Sequence, residues 1–430
     1  MKPTFVISSP FDTYSGYGAR ARDIIKSVIE SNKYNVKLLS QRWGITPFEF
    51  CKNNKEWEYL YDYSVDWPLA NQPDIWIQIT VPNEFQPVGK YNIGMTAGME
   101  TTLVDGSWVE GVNRMNITFV SSEHSKQSFL NSQFEKRDQR GNSTGTVKVE
   151  KPIEVLFEGA DLTTYFPDTK PCIVDFNIKE DFAYLFVGHW MQGNMGEDRK
   201  NVGLLIKAFY ETFKNKKNKP ALILKTSGAG ASYVDRDEIL KKIIAIRKSV
   251  NSNNLPNVYL LHGEFTNEEM NSLYNHSKVK AMVSLTKGEG FGRPLLEFSL
   301  VKKPIIVSGW SGHMDFLDPK FVVTIGGELK NVDRSAVVPN MILPESQWFS
   351  PSHPEIGVAL KDVFENYKKY TDGAKRQAYK SKNEFSWEKM HEKFQSILSA
   401  IVPEFPKQIE LNLPKLNLPK LNLPKLNQNG

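Results

Sequence analysis

The chain has 430 residues, of which 54 are basic and 49 acidic, for a formal charge of +5. That length exceeds one ordinary core and suits two domains, and 40% apolar with 24% charged residues excludes a disordered or fibrous chain. The positive excess favours anionic ligands but lacks the dense basic blocks of a dedicated nucleic-acid binder.

The N-terminus, "MKPTFVISSPFD", runs straight into a strand pattern without the apolar region of a signal peptide. No apolar stretch reaches the roughly 18 residues that a transmembrane segment needs. Cys51 and Cys172 are far apart and have no metal-ligand spacing around them, which suits a reduced compartment. A cytoplasmic location is therefore expected.

In chain order, "TFVIS" (4–8), "DIWIQI" (74–79), "ITFV" (117–120) and "IEVLF" (153–157) read as strands of one doubly wound sheet. "EKRDQRGNSTGTVK" (135–148) is polar and aperiodic and reads as a mobile surface loop. Residues 161–178, rich in Pro, Asp and Thr, read as a linker. A second series follows: "YLFVG" (184–188), "ALILK" (221–225), "VYLL" (258–261), "KAMVSL" (280–285) and "PIIVS" (304–308). "DRD" (235–237) heads a helical run, where Asp acts as cap and dipole partner rather than as a metal ligand. The end of the chain, "LNLPKLNLPKLNLPKLN", repeats every five residues. A proline in every repeat excludes a continuous helix or a central strand, so an extended tail, able to dock a partner, is expected.

The stretch "LTKGEGFGRPLLEFSL" (285–300) carries the chemistry. A buried strand ends there, Gly288, Gly290 and Gly292 let backbone approach a ligand, and Pro294 sits where a helix begins. Glu289 lies in the glycine loop and Glu297 in the first turns of the helix, at the C-terminal end of a parallel strand, where open α/β sheets bind ligands. Carboxylates repel phosphates, so these two are suited to sugar hydroxyls. Arg199 and Lys200 precede the helix "NVGLLIKAF", and cations at a helix start oppose its dipole, which points to an anionic ligand.

The spacing of Glu289 and Glu297 within "GEGFGRPLLE" resembles the E-x7-E motif of retaining GT-B glycosyltransferases, most closely glycosyltransferase family 4. "SGYGARARDI" (15–24), "FVSSEHSKQSF" (119–129), "EGADLTTYFP" (158–167), "VGHWMQGNMGEDRKNVGLLIKAF" (187–209) and "FSWEKMHEKF" (385–394) resemble further family segments in the same order. The resemblance implies an α/β GT-B fold, with two Rossmann-like doubly wound domains facing across a cleft and a C-terminal helix returning to the first. The domains would be 1–165 for the acceptor, completed by the returning helix 385–402, and 170–384 for the nucleotide sugar, with 403–430 as tail.

The resemblance also implies metal-independent transfer, with no cofactor, from a nucleotide-diphosphate sugar to a glycan, lipid-linked, protein or modified-base acceptor. Lys200, and with it Arg199, would hold the donor diphosphate, Glu289 the transferred sugar and Glu297 the ribose. Gly16, Gly18, Gly290, Phe291 and Gly292 would shape the donor site. The chain departs from the pattern at His189, where the family carries Arg, so His189 or Lys225 would compensate. It also lacks the family's histidine in "IGMTAGMET", where Glu100 is the nearest polar group. Two other readings are an epimerase of the same fold acting on sugar nucleotides, and a non-catalytic sugar-binding scaffold docking through the repeats.

The tail has no periodic apolar face with which to join a core. A chain ending at residue 405 is therefore expected to keep the melting temperature of the full chain to within about 1 °C, as measured by calorimetry.

Overall fold

The structure, a computed structural model, describes residues 2–137, 140–170, 172–174, 177–228, 230 and 232–405. The LNLPK repeats lie outside the described residues, as do positions 138–139 of the predicted loop and 171, 175 and 176 of the predicted linker.

The first domain contains β1 (Thr4–Ser9), α1 (Gly16–Glu30), β2 (Asn35–Ser40), α2 (Phe50–Asn53), β3 (Ile75–Ile79), β4 (Tyr91–Met95), α3 (Gly106–Arg114), β5 (Ile117–Val120), α4 (Glu123–Asn131), β6 (Phe134–Arg137), β7 (Ser143–Val147) and β8 (Ile153–Val155). Six of these strands form one parallel sheet in the order β2-β1-β3-β4-β5-β8. The second domain contains β9 (Ala183–Val187), α5 (Val202–Phe213), β10 (Ala221–Lys225), α6 (Tyr233–Ser249), β11 (Val258–Leu261), α7 (Asn267–Asn275), β12 (Val279–Ser284), α8 (Arg293–Ser299), β13 (Ile305–Ser308), β14 (Val323–Ile325), β15 (Gly327–Asn331), β16 (Gln347–Pro351), α9 (His353–Glu365) and α10 (Tyr367–Glu384). Its parallel sheet runs β11-β10-β9-β12-β13-β14. Strands such as β3 and β10 are mostly apolar because helices cover both faces of each sheet.

Two strands of the first sheet escape a hydropathy reading. β2 is an edge strand with only two buried residues. β4 carries Asn92 and Gly94: the Asn92 side chain exchanges hydrogen bonds with Gly89, and Gly94 leaves room for the Phe85 ring. The expected loop at 135–148 is instead largely a hairpin, with β6 and β7 paired antiparallel and Phe134 opposite Val147. Its strands are polar because Ser143 to Thr146 face solvent, while Phe134 and Val147 pack beside Trp108 and Phe129.

The last helix, α11 (Trp387–Ile401), returns to the first domain. Ser386 caps it, accepting a hydrogen bond from the Lys389 amide. Trp387, Met390, Phe394 and Leu398, spaced at helical intervals, enter the first domain's core beside α1. The crossing is pinned where the Ala160 amide donates to Phe385 O at 3.0 Å and the Trp387 amide to Ala160 O at 2.8 Å. Phe394 is fully buried and meets Phe119 edge-on at 5.6 Å. Phe394→Ala is expected to destabilise the first domain by about 3–5 kcal/mol, read as a lowered midpoint in urea denaturation.

Candidate functional site at the seam between the domains

The loop after β9 places two cations. Asn201, in the left-handed region at φ 53°, caps α5. Its amide side chain donates to Leu285 O at 3.0 Å, and the Lys287 amide donates to Arg199 O at 2.7 Å. These bonds fasten the Arg199–Lys200 turn to the end of β12. Opposite it, the Glu289 amide donates to Ser311 Oγ at 2.9 Å and the Gly312 amide to Glu289 O at 3.0 Å. Glu289 is thus held by the turn that follows β13.

The side chains meet. Lys200 Nζ binds Glu289 Oε1, Arg199 Nη1 lies 3.3 Å from Glu289 Oε2, and the same nitrogen lies 3.4 Å from Glu100 Oε1 of the first domain. Burial raises the pKa of the Glu289 carboxyl, but Lys200 and Arg199 outweigh it and leave the value at about 2. Burial lowers the Lys200 ammonium against the pull of Glu289. The structure therefore brings Glu289, Lys200, Arg199 and Glu100 into one cluster spanning both domains.

Glu297 stands in a second cluster. Its Oε1 accepts from Arg293 Nε at 3.1 Å and its Oε2 from Tyr274 OH at 3.2 Å. Arg293 also reaches across the seam, with Nη1 2.7 Å from Asp23 Oδ2 and 3.9 Å from Glu158 Oε2. Burial raises both the Glu158 and the Glu297 carboxyls.

The glycine loop has a different immediate use from the expected one. A side chain at Gly288 would run into the Glu100 carbonyl, and one at Gly290 into that of Ala97. These glycines therefore let the two domains touch backbone to backbone. Gly292, at φ 98°, turns the chain into α8. Phe291 is buried against Phe316 at 4.9 Å and belongs to the core rather than to a ligand surface. Gly16 opens α1, and the Gly18 amide donates to Ser15 Oγ at 2.9 Å, so the amide of Gly18 is committed to the helix cap and is not free for a diphosphate.

His189 Nδ1 lies 3.1 Å from Gly228 O and 3.2 Å from Ser227 Oγ. Burial first, and then Lys200, lower its pKa, which favours the neutral ring at pH 7. Lys225 turns away: its Nζ donates to Gly263 O at 2.6 Å and lies over the Phe265 ring at 4.6 Å. In the "DRD" stretch the cap is Ser232 rather than an Asp. Asp235 accepts from the Gly228 amide at 2.9 Å and pairs with His262 at 2.7 Å. Among the described residues, no three His, Cys, Asp or Glu side chains form a metal-binding group, and no helix is long and apolar enough to cross a membrane.

Several seam residues carry no signal of their own in the sequence. Arg293 and Asp23 are 270 positions apart. His124, at the start of α4, lies edge-on to Trp310 of the other domain at 4.5 Å, with a buried Nε2 lacking a protein partner. Burial lowers its pKa to about 4. Only the "SGWSGH" run (308–313), another glycine-bearing turn at a strand end, hints at Ser311 and the buried His313. A cavity of about 590 Å³ beside α5 and α9 is lined by residues such as Lys207 and His353, away from these clusters. Convergent buried charge is the better guide here, because the domains meet closely at the seam.

No known family profile matches the chain, and no curated protein matches it in sequence. Solved structures do match in shape. A glycosyltransferase from Rickettsia africae aligns at TM-score 0.61 with 12% identity, over 94% of this chain and 100% of that one. HepE from Anabaena, in complex with UDP and glucose, aligns at TM-score 0.57 with 11% identity, over 93% and 100%. Sucrose-phosphate synthase from Thermosynechococcus elongatus aligns at TM-score 0.57 with 11% identity, over 93% and 99%. With its two six-stranded parallel sheets, the chain has the two-domain GT-B fold of these structures.

Proposed function

We propose that the protein is a retaining glycosyltransferase that moves a sugar from a nucleotide-diphosphate sugar to an acceptor. The observation that carries this reading is the set of buried Lys200 and Glu289 with half-buried Arg199 at the C-terminal ends of β9 and β12, facing Glu100 across the seam. A buried ion pair is a poor route to stability, because desolvation offsets most of its attraction. Placed at a domain seam, two cations held by one exchangeable carboxylate are suited to an arriving diphosphate. HepE, of the same fold, also has a structure in complex with UDP-glucose.

In this reading Lys200 and Arg199 pass from Glu289 to the donor diphosphate, where negative charge builds as the bond to the sugar breaks. A positioned cation stabilises that transition state more than the ground state. Glu289, released, accepts hydrogen bonds from hydroxyls of the transferred sugar. Glu297 takes the ribose hydroxyls in place of part of its bonding to Arg293. The acceptor attacks from the face the diphosphate leaves, and a departing phosphate oxygen receives the acceptor proton, so the anomeric configuration is kept. Such a route needs no protein nucleophile.

Lys200→Ala is expected to lower turnover of a nucleotide sugar by about 100- to 1000-fold while changing affinity for the free nucleoside little. Glu297→Gln is expected to weaken binding of nucleoside diphosphate by about 1–3 kcal/mol, as measured by calorimetric titration. NMR of the product should show the donor's anomeric configuration. An inverted product, or normal turnover by Lys200→Ala, would overturn the reading.

The Glu289 cluster also sets a pH dependence. Its folded pKa of about 2 lies below the unassociated value of 4.5, so its stabilisation is fully present above about pH 4.5 and is lost as pH falls toward 2. The melting temperature of Glu289→Gln should lie below that of the wild type at pH 6. The gap should narrow steadily as both are brought from about pH 4.5 toward pH 2, where Glu289 takes up its proton and carries the same charge as Gln.

A further inference from the structure

On the outer side of the domain junction lies a second concave surface, a cavity of about 460 Å³ between the segment at 162–167, the end of α8 and one face of α10. That volume is within the range of small-molecule sites, roughly 300–1,000 Å³. Its walls include Lys302, Lys375 and Lys382 together with Phe166, Tyr379 and Leu300, and no acidic residue lines it. None of the three ammonium groups has a hydrogen-bond or ion-pair partner among the described residues. Most surface lysines are simply solvated; three around one apolar-floored hollow give it a positive wall that complements an anion.

The local sequence builds this hollow. Lys375, Ala378, Tyr379 and Lys382 fall at i, i+3, i+4 and i+7 and so share one face of α10. Lys302 stands just past α8 at φ 62°, a left-handed position that ordinarily takes Gly or Asn and costs another residue about 1–2 kcal/mol. Tyr379 is 74% exposed and Phe166 39% exposed, leaving two aromatic surfaces at the same mouth.

We propose that this cavity binds a phosphoester carrying a flat ring, with the phosphate among the three lysines and the ring against Tyr379 and Phe166. Lysine ammonium groups hold phosphate as point charges, and exposed aromatic faces favour a planar ring over a hydroxylated sugar. The site is distinct from the Glu289 cluster and does not depend on the transfer reading.

The test is calorimetric titration of the full chain with phenyl phosphate, which has the ring and the phosphate but neither the ribose nor the diphosphate of a nucleotide sugar. Wild type and Lys200→Ala should bind it equally. The double variant Lys302→Gln, Lys382→Gln should bind it at least about tenfold more weakly. Tyr379→Ser should weaken phenyl phosphate while leaving inorganic phosphate unchanged, and phenol should bind at least about tenfold more weakly than phenyl phosphate. The proposal is overturned if the wild type shows no binding up to about 10 mM or if the double variant binds normally. Loss of binding in Lys200→Ala would place the ligand at the Glu289 cluster and also overturn it. Equal affinity for glucose 1-phosphate and phenyl phosphate would overturn the ring assignment.

Discussion

The contact between the glycine loop at 288–292 and the segment at 97–100 organises the whole molecule. Two parallel sheets, each with its own core, come together where the carbonyls of Glu100 and Ala97 pack against Gly288 and Gly290 more closely than a side chain there would allow. Because the backbones touch, charged side chains on either side are largely withdrawn from water, and each then needs a partner. Glu289 finds Lys200 and Arg199, Arg199 finds Glu100, and Arg293 finds Glu297 and Asp23. The two clusters are consequences of one close approach.

Much of this was legible in the sequence because it is local. Eight positions separate Glu289 from Glu297, and the helix beginning at Val202 follows directly on Lys200. Parallel strands buried on both faces also announce themselves as apolar runs. What stayed hidden depends on partners distant in the chain. A glycine signals close approach but does not name what approaches, and in the loop it is the neighbouring domain that does so. Asn92 interrupts the apolar pattern of β4, and its bonds to Gly89 explain its place there. The hairpin of β6 and β7 is polar enough to pass for a loop, since only its ends touch a core.

The seam also explains how one fold can hold two carboxylates so differently. Glu289 is embraced by two cations from a single turn and stays ionised far into acid. Glu297 shares one guanidinium with Asp23 and Glu158, and burial raises its pKa despite that neighbour. The two carboxylates lie close in sequence, yet the electrostatic surroundings are set by which strangers each side chain meets across the gap.

The shut seam has a kinetic consequence. On the proposed transfer reading, a donor reaches the Glu289 cluster as the Arg199–Glu100 and Arg293–Asp23 pairs part, so opening of the free protein stands before encounter. Observed association rates then level off at the opening rate as ligand concentration rises, in place of climbing without limit. Apparent affinity is reduced by the fraction of time spent shut. Dissolved salt, by screening the rim charges as they separate, favours the receptive form even while it weakens the grip on an anion once bound.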